Sequence, residues 1–132
     1  MKKYISILGS TGSIGLTTLK IVDKKNFFFK PYLFSANKNY RLISSQISKY
    51  KPVFFVVKNK NCFEKIKKKF KKSKTKIFNN FELINFKKKS EFTISAIPGI
   101  DGLEPTINFL KFSKKMLIAN KESIICGWNL IK

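Results

Sequence analysis

The sequence contains no histidine, a single arginine (Arg41), and seven carboxylate side chains against 28 basic ones. Without histidine there is no imidazole to activate a serine or cysteine nucleophile near neutral pH, and the commonest metal ligand is missing. The few acids are scattered, so no set of carboxylates stands ready for a divalent cation. Cys62 and Cys126 fit neither a metal nor a redox spacing, and two cysteines make no disulfide framework. A reducing cytoplasm is the expected compartment. No apolar run reaches the ~18 residues of a membrane-spanning helix, so a membrane is not an expected partner. Met1-Lys2-Lys3 leads straight into an apolar stretch, which is not the organisation of a signal peptide.

What remains is a chain of 132 residues, 43% of them hydrophobic, with a formal charge of +21. That length suits one domain with a sheet and helix layers. The charge invites a nucleic-acid reading, above all in the lysine-rich run over residues 65–72. Two features speak against it. Lysine dominates where specific phosphate and base recognition favours arginine forks. Phe63, Ile66 and Phe70 also recur at helical spacing, so the lysines between them read as one helix's solvated face. Enrichment in Lys, Phe, Ile and Asn throughout reads as drift toward A- and T-rich codons. A basic nucleic-acid module is kept as the alternative, and a remnant that folds but binds nothing as a third reading.

The organising stretch is Tyr4-Ile5-Ser6-Ile7-Leu8-Gly9-Ser10-Thr11-Gly12-Ser13-Ile14-Gly15. It reads as a short apolar strand, a glycine turn and a helix start. Gly9, Gly12 and Gly15 permit a tight turn, close ligand approach and close helix–strand packing. Amides at the helix mouth have no partners within the helix, and the helix dipole adds positive charge there, which suits a pyrophosphate. Hydroxyls of Ser10, Thr11 and Ser13 are expected as further donors. The spacing G-x-x-G-x-x-G differs by one residue from the usual dinucleotide fingerprint.

Along the rest of the chain strand and helix signals alternate. A helix follows the turn with Ile14, Thr18, Leu19 and Val22 on one face. Strands are expected at 29–35, 53–57, 76–78, 92–97 and 116–119. Helices are expected from Asn39, which would cap it, over about 61–72, and from Gly102 with Leu103, Ile107 and Leu110 on one stripe. Residues 79–89 stay ambiguous, with a short helix near Glu82 as one option. Asn120-Lys121-Glu122-Ser123 opens a last helical segment. The alternation predicts an α/β fold, a Rossmann-like, doubly wound, mostly parallel sheet flanked by helices, in one domain over 1–132.

In such a sheet, ligands gather beyond the carboxyl ends of the strands. Four segments should meet there: 9–15, 35–39, 96–102 and 120–123. The second strand ends in Ser35-Ala36-Asn37-Lys38-Asn39, with no acid to hold a ribose 2′-hydroxyl and one cation to attract a 2′-phosphate. NADP(H) is therefore favoured over NAD(H). The turn Ala96-Ile97-Pro98-Gly99-Ile100-Asp101-Gly102 either packs against the cofactor or merely reverses the chain. Asn120, Lys121 and Glu122 either cap a helix or serve the site, Lys121 toward an anionic substrate and the other two toward the cofactor.

At these residues the chain resembles the 1-deoxy-D-xylulose 5-phosphate reductoisomerase family. The resemblance rests on 7–15, on Ala96-Ile97-Pro98-Gly99-Ile100-Asp101-Gly102-Leu103-Glu104-Pro105-Thr106, and on Ala119-Asn120-Lys121-Glu122-Ser123. It implies conversion of 1-deoxy-D-xylulose 5-phosphate to 2-C-methyl-D-erythritol 4-phosphate on the non-mevalonate route to isoprenoid precursors, with NADPH and Mg2+ or Mn2+. It implies that Thr11, Gly12, Ser13, Ile14, Lys38, Asn39, Asn120 and Glu122 bind NADPH, and that Lys121 contacts the sugar phosphate. Asn37 stands where the family commonly has glycine. Members are about three times longer, with acidic metal ligands, phosphate-binding residues, active-site loop and homodimerising region C-terminal to the Asn-Lys-Glu-Ser motif. The chain therefore reads as the N-terminal NADPH-binding domain, truncated and inactive alone, with no catalytic or metal-binding residue of its own. Aspartate-semialdehyde dehydrogenase also begins with such a turn, but needs a thiolate–histidine pair that this sequence does not supply.

Overall fold

The computed structural model describes residues 2–97 and 103–119. Strand β1 (Lys3–Leu8) is buried from Ile5 through Leu8, as a central strand covered on both faces must be. It runs into α1 (Ser13–Lys24), β2 (Phe29–Ala36), α2 (Tyr40–Tyr50), β3 (Phe54–Val57), α3 (Lys60–Lys69) and β4 (Lys76–Phe78). Then follow a single 3-10 turn (Phe81–Leu83), β5 (Ser90–Ser95), α4 (Leu103–Leu110) and β6 (Ser113–Ile118). The sheet order is β4-β3-β2-β1-β5-β6, and each neighbouring pair is parallel. The chain moves outward from β1 on one side, then returns to the other side for β5 and β6. That makes the carboxyl ends of β1 and β5 the topological switch point, where open α/β sheets bind ligands. The fold is the Rossmann-like doubly wound sheet expected from the sequence.

Two apolar layers hold the sheet. On one face Ile7, Phe34, Phe55 and Val57 meet Leu19 of α1, Ile43 and Ile47 of α2, and Cys62 and Ile66 of α3. On the other, Leu8, Leu33 and Val56 meet Ile84 and Phe109. There the ambiguous stretch 79–89 does the work of a helix with aromatic side chains. Phe86 lies 5.6 Å from Phe54, 5.3 Å from Phe109 and 4.5 Å from Phe112, centroid to centroid. Phe34 and Phe55 are fully buried; cutting either to alanine removes about 3–5 kcal/mol.

Several boundaries and faces differ from expectation, each for a local reason. Ile14 is 44% exposed, because α1 turns Gly15, Leu19 and Val22 inward instead. In α4 the buried side is Pro105, Thr106 and Phe109, while Ile107 and Leu110 are half-buried. Helix α3 begins one residue before 61 and ends at Lys69, with the Asn59 side chain accepting from the Cys62 amide at 2.9 Å. Its Lys65, Lys67, Lys68 and Lys69 are exposed while Cys62 and Ile66 are buried, a solvated basic face over an apolar one. Strand β5 starts at Ser90, whose hydroxyl turns back to the Phe92 carbonyl. Pro31 is tolerated in β2 because the register with β1 shifts between Ile5 and Ser6, and pairing with β3 begins only at Leu33.

Candidate functional site

The turn after β1 is fixed from below by β2. The Gly9 amide donates to the Ser35 carbonyl at 2.9 Å and to its Oγ at 3.1 Å, and the Ser10 amide donates to the same carbonyl at 2.8 Å. Gly9 sits at φ +87°, and a Cβ there would lie 3.0 Å from backbone atoms of Ala96 and Ile97. Gly15 has no room at all: a Cβ would lie 2.3 Å from the Gly9 carbonyl oxygen. These two glycines let the turn form and let α1 rest on it. Gly12 is different. It has φ −80°, and a Cβ would meet nothing nearer than 3.7 Å, so the fold itself does not require glycine.

Gly12 is also the residue on which α1 starts, and no side chain caps that helix. The other helix starts with described caps are closed by asparagines: Asn39 accepts from the Leu42 amide, Asn59 from Cys62 and Asn80 from Leu83. The first turn of α1 contains no acid, and Ser13 and Ile14 are exposed. The Gly12 amide reaches back to the Gly9 carbonyl at a long 3.3 Å, and an uncapped helix start of this kind is an anion site in waiting.

Beside it opens a cavity of about 420 Å³ at the carboxyl rim of the sheet. Gly9, Thr11 and Gly12 line it from the first turn, Ser35, Ala36 and Asn37 from the end of β2, and Ile97 and Pro105 from beyond β5. Lys58 and Phe81 complete the wall. Its size suits part of a dinucleotide. A larger open depression of about 480 Å³, lined by Tyr4, Tyr32, Phe54 and Lys88 among others, lies toward the amino ends of the strands. A parallel sheet presents no helix start there, so the chemistry favours the smaller cavity.

The structure thus brings Gly9, Thr11, Gly12 and Asn37 around one space. Ser13 and Ile14 lie in the adjoining first turn of α1, and Gly15 is buried beneath it. Lys38 and Asn39 follow Asn37 on the exposed loop into α2, outside the cavity lining. The turn at 98–102 and Asn120, Lys121 and Glu122 lie outside the described residues. The Ala119 amide donates to the Ser95 carbonyl at 2.9 Å, so the chain leaves β6 at the rim that carries Gly9. Among the described residues no three His, Cys, Asp or Glu side chains group as metal ligands, and no described helix is long and apolar enough to cross a membrane.

One expected donor is corrected. Ser10 is fully buried, and its hydroxyl donates to Gln46 Oε1 at 2.6 Å while Gln46 Nε2 donates to the Ser10 carbonyl at 2.9 Å. Its oxygen braces the turn against α2 and cannot serve a phosphate. Gln46 and Lys58 are the residues that sequence reasoning missed. A glutamine at a helical core position, 3% exposed, was the available signal for the first, since buried amides need partners. Cys62 is also buried, and burial pushes its thiol above the usual range, which makes it an inert packing residue.

Residues 5–127 match the family model for 1-deoxy-D-xylulose 5-phosphate reductoisomerase. The chain is 47% identical to the enzyme of that name from Pelagibacter ubique, over 98% of its own length and 34% of the relative's. It is 41% identical to the one from Buchnera aphidicola subsp. Schizaphis graminum, over 95% and 33%. Among solved structures, the Zymomonas mobilis reductoisomerase in complex with NADPH superposes with a TM-score of 0.88 at 21% identity, covering 99% of this chain and 35% of that one. A reductoisomerase in complex with magnesium gives 0.87 at 24% identity, over 99% and 34%. The chain spans about a third of the length of the relatives it matches.

Proposed function

The chain belongs to the 1-deoxy-D-xylulose 5-phosphate reductoisomerase family, and from that membership we propose that its residues 1–132 form the family's NADPH-binding domain. The observation that carries the reading is Gly12. It is a glycine that the fold does not need, at an uncapped helix start, on the wall of a cavity at the switch point. A missing side chain there makes sense if a pyrophosphate lies against the backbone.

In this reading the amides around Thr11, Gly12, Ser13 and Ile14 hold the pyrophosphate, over the floor formed by Gly9 and Gly15. Asn37, Lys38 and Asn39 surround the ribose that carries the 2′-phosphate. Asn120 and Glu122 contact the cofactor, and Lys121 the sugar-phosphate substrate. The carboxyl ends of β5 and β6 support this grouping, since both leave the sheet on the rim of Gly9. Bound NADPH supplies the hydride of the family's reaction; the residues of this chain bind and orient it.

The whole activity, conversion of 1-deoxy-D-xylulose 5-phosphate to 2-C-methyl-D-erythritol 4-phosphate with Mg2+ or Mn2+, is assigned to this domain acting with the parts its relatives carry beyond the matched third. Metal ligands and the homodimer contact belong to those parts. The work is cytoplasmic, a reading supported by Cys62, which is buried as a free thiol. Titrating the purified chain with NADPH and NADH, followed by nicotinamide fluorescence, tests the proposal. Saturable binding that prefers NADPH supports it; equal affinity for both, or none for either, contradicts it.

A further inference from the structure

In the sequence Lys58 is one of 28 basic side chains and carries no motif. The fold singles it out. Among the described residues lining the cavity beside Gly12, Lys58 alone is charged. Strands β2 and β3 pair in register up to Ala36 and Val57, and the pairing continues past their ends. The Lys58 amide donates to the Ala36 carbonyl at 3.0 Å, and the Asn59 amide to the Asn37 carbonyl at 3.0 Å. Lys58 is therefore held beside Asn37 at the carboxyl rim.

Its backbone is fastened from the other side as well. Asn79 Nδ2 donates to the Val57 carbonyl at 2.9 Å and to the Lys58 carbonyl at 3.1 Å. Asn59 next to it caps α3. Neither ion pair among the described residues, Lys49–Asp23 and Lys114–Glu91, involves Lys58. A cation on a fixed backbone, at the wall of a cavity with no carboxylate among its described lining residues, has an anion as its natural complement.

The position says which anion. In a doubly wound sheet the pyrophosphate lies over the first glycine turn, and the adenosine ribose extends toward the end of the second strand. The residue just past the third strand is then next in line. Lys38 follows Asn37 in sequence, yet it does not line the cavity.

We propose that Lys58 is the principal specificity determinant for the cofactor's 2′-phosphate, with Lys38 secondary. This deepens the NADPH-binding reading and rests on it. The probes are adenosine 2′,5′-bisphosphate and adenosine 5′-monophosphate, which need only the adenosine half of the site, titrated calorimetrically against the chain and its Lys58→Ala, Lys58→Arg and Lys38→Ala variants. Loss of one charge-assisted contact should weaken the bisphosphate about tenfold in Lys58→Ala and the monophosphate less than about twofold. Lys58→Arg should retain the preference, and Lys38→Ala should lose less of it. Thermal unfolding of all three variants should match the parent, since both lysines are exposed. If the parent prefers the bisphosphate and Lys58→Ala keeps that preference, or Lys38→Ala abolishes it, the assignment of Lys58 is overturned and the NADPH reading stands. If the parent shows no preference for the bisphosphate, both are overturned.

Discussion

Ser10 and Gln46, 36 residues apart in the chain, are joined by two buried hydrogen bonds that run in opposite directions, hydroxyl to amide oxygen and amide nitrogen to carbonyl. The pair ties the glycine turn to α2, so the helix start that faces the cavity is held from two sides. Replacing Gln46 by Leu leaves the Ser10 hydroxyl and carbonyl without those partners in a dry site, which should cost about 1–3 kcal/mol. The double variant Ser10→Ala/Gln46→Leu should lose less than the sum of the singles, because it removes a hydroxyl that would otherwise be left with only the long 3.4 Å contact to the Ser35 carbonyl. Urea unfolding of the four proteins measures both, and simple additivity would contradict the coupling.

The three glycines should separate under substitution to alanine. Gly15→Ala drives a Cβ against the Gly9 carbonyl at 2.3 Å and should prevent or severely impair folding. Gly9→Ala must hold φ +87° and sit 3.0 Å from Ala96, at a cost of about 1–3 kcal/mol. Gly12→Ala should cost about 1 kcal/mol or less, the difference between these residues at a helix N-cap. Only Gly12→Ala should produce a folded chain that has lost NADPH affinity. Circular dichroism with NADPH titration distinguishes the three; an unaffected affinity in Gly12→Ala would remove the reason given for that glycine.

In the proposed NADPH-binding reading, Asn39 divides its amide between two tasks. Its Oδ1 caps α2 by accepting from the Leu42 amide at 3.1 Å, which leaves Nδ2 for a cofactor. Asn39→Asp keeps the acceptor and the cap, so stability should change by about 0.5 kcal/mol or less. The added carboxylate should repel a phosphate and weaken NADPH more than NADH. Asn39→Ala should instead cost stability of about 1 kcal/mol. Thermal melts and paired titrations read the two effects separately.

Cys62 should resist alkylation in the folded chain. Burial raises its thiol, and the thiolate is the reactive form. In a Cys126→Ser background, iodoacetamide labelling should be slow in buffer and fast in denaturant. Rapid labelling of the native protein would mean that α3 opens from the sheet far more readily than its contacts with Ile43 and Val57 suggest.

The parts legible in the sequence were those set by backbone geometry or by period. Gly9 and Gly15 announce a turn because no other residue fits, and Val53-Phe54-Phe55-Val56-Val57 announces a strand covered on both faces. The cap at Asn39 and the stripe of Ile43 and Ile47 were legible for the same reason. What stayed hidden depended on partners far away in the chain. Ser10 looks like a phosphate donor until Gln46 claims it. Phe109 displaced Ile107 and Leu110 from the core because Phe86 and Phe112 pack around it. Lys58 acquires meaning only once β3 is placed beside β2.

The amides at the mouth of α1 are the centre of the proposed site. Backbone amide chemical shifts followed through an NADPH titration test it most directly. The largest changes should fall on Gly12, Ser13 and Ile14, with a second group at Asn37, Lys38 and Lys58. Changes clustered instead around Tyr4, Tyr32 and Lys88 at the opposite rim, or no changes at saturating cofactor, would contradict it.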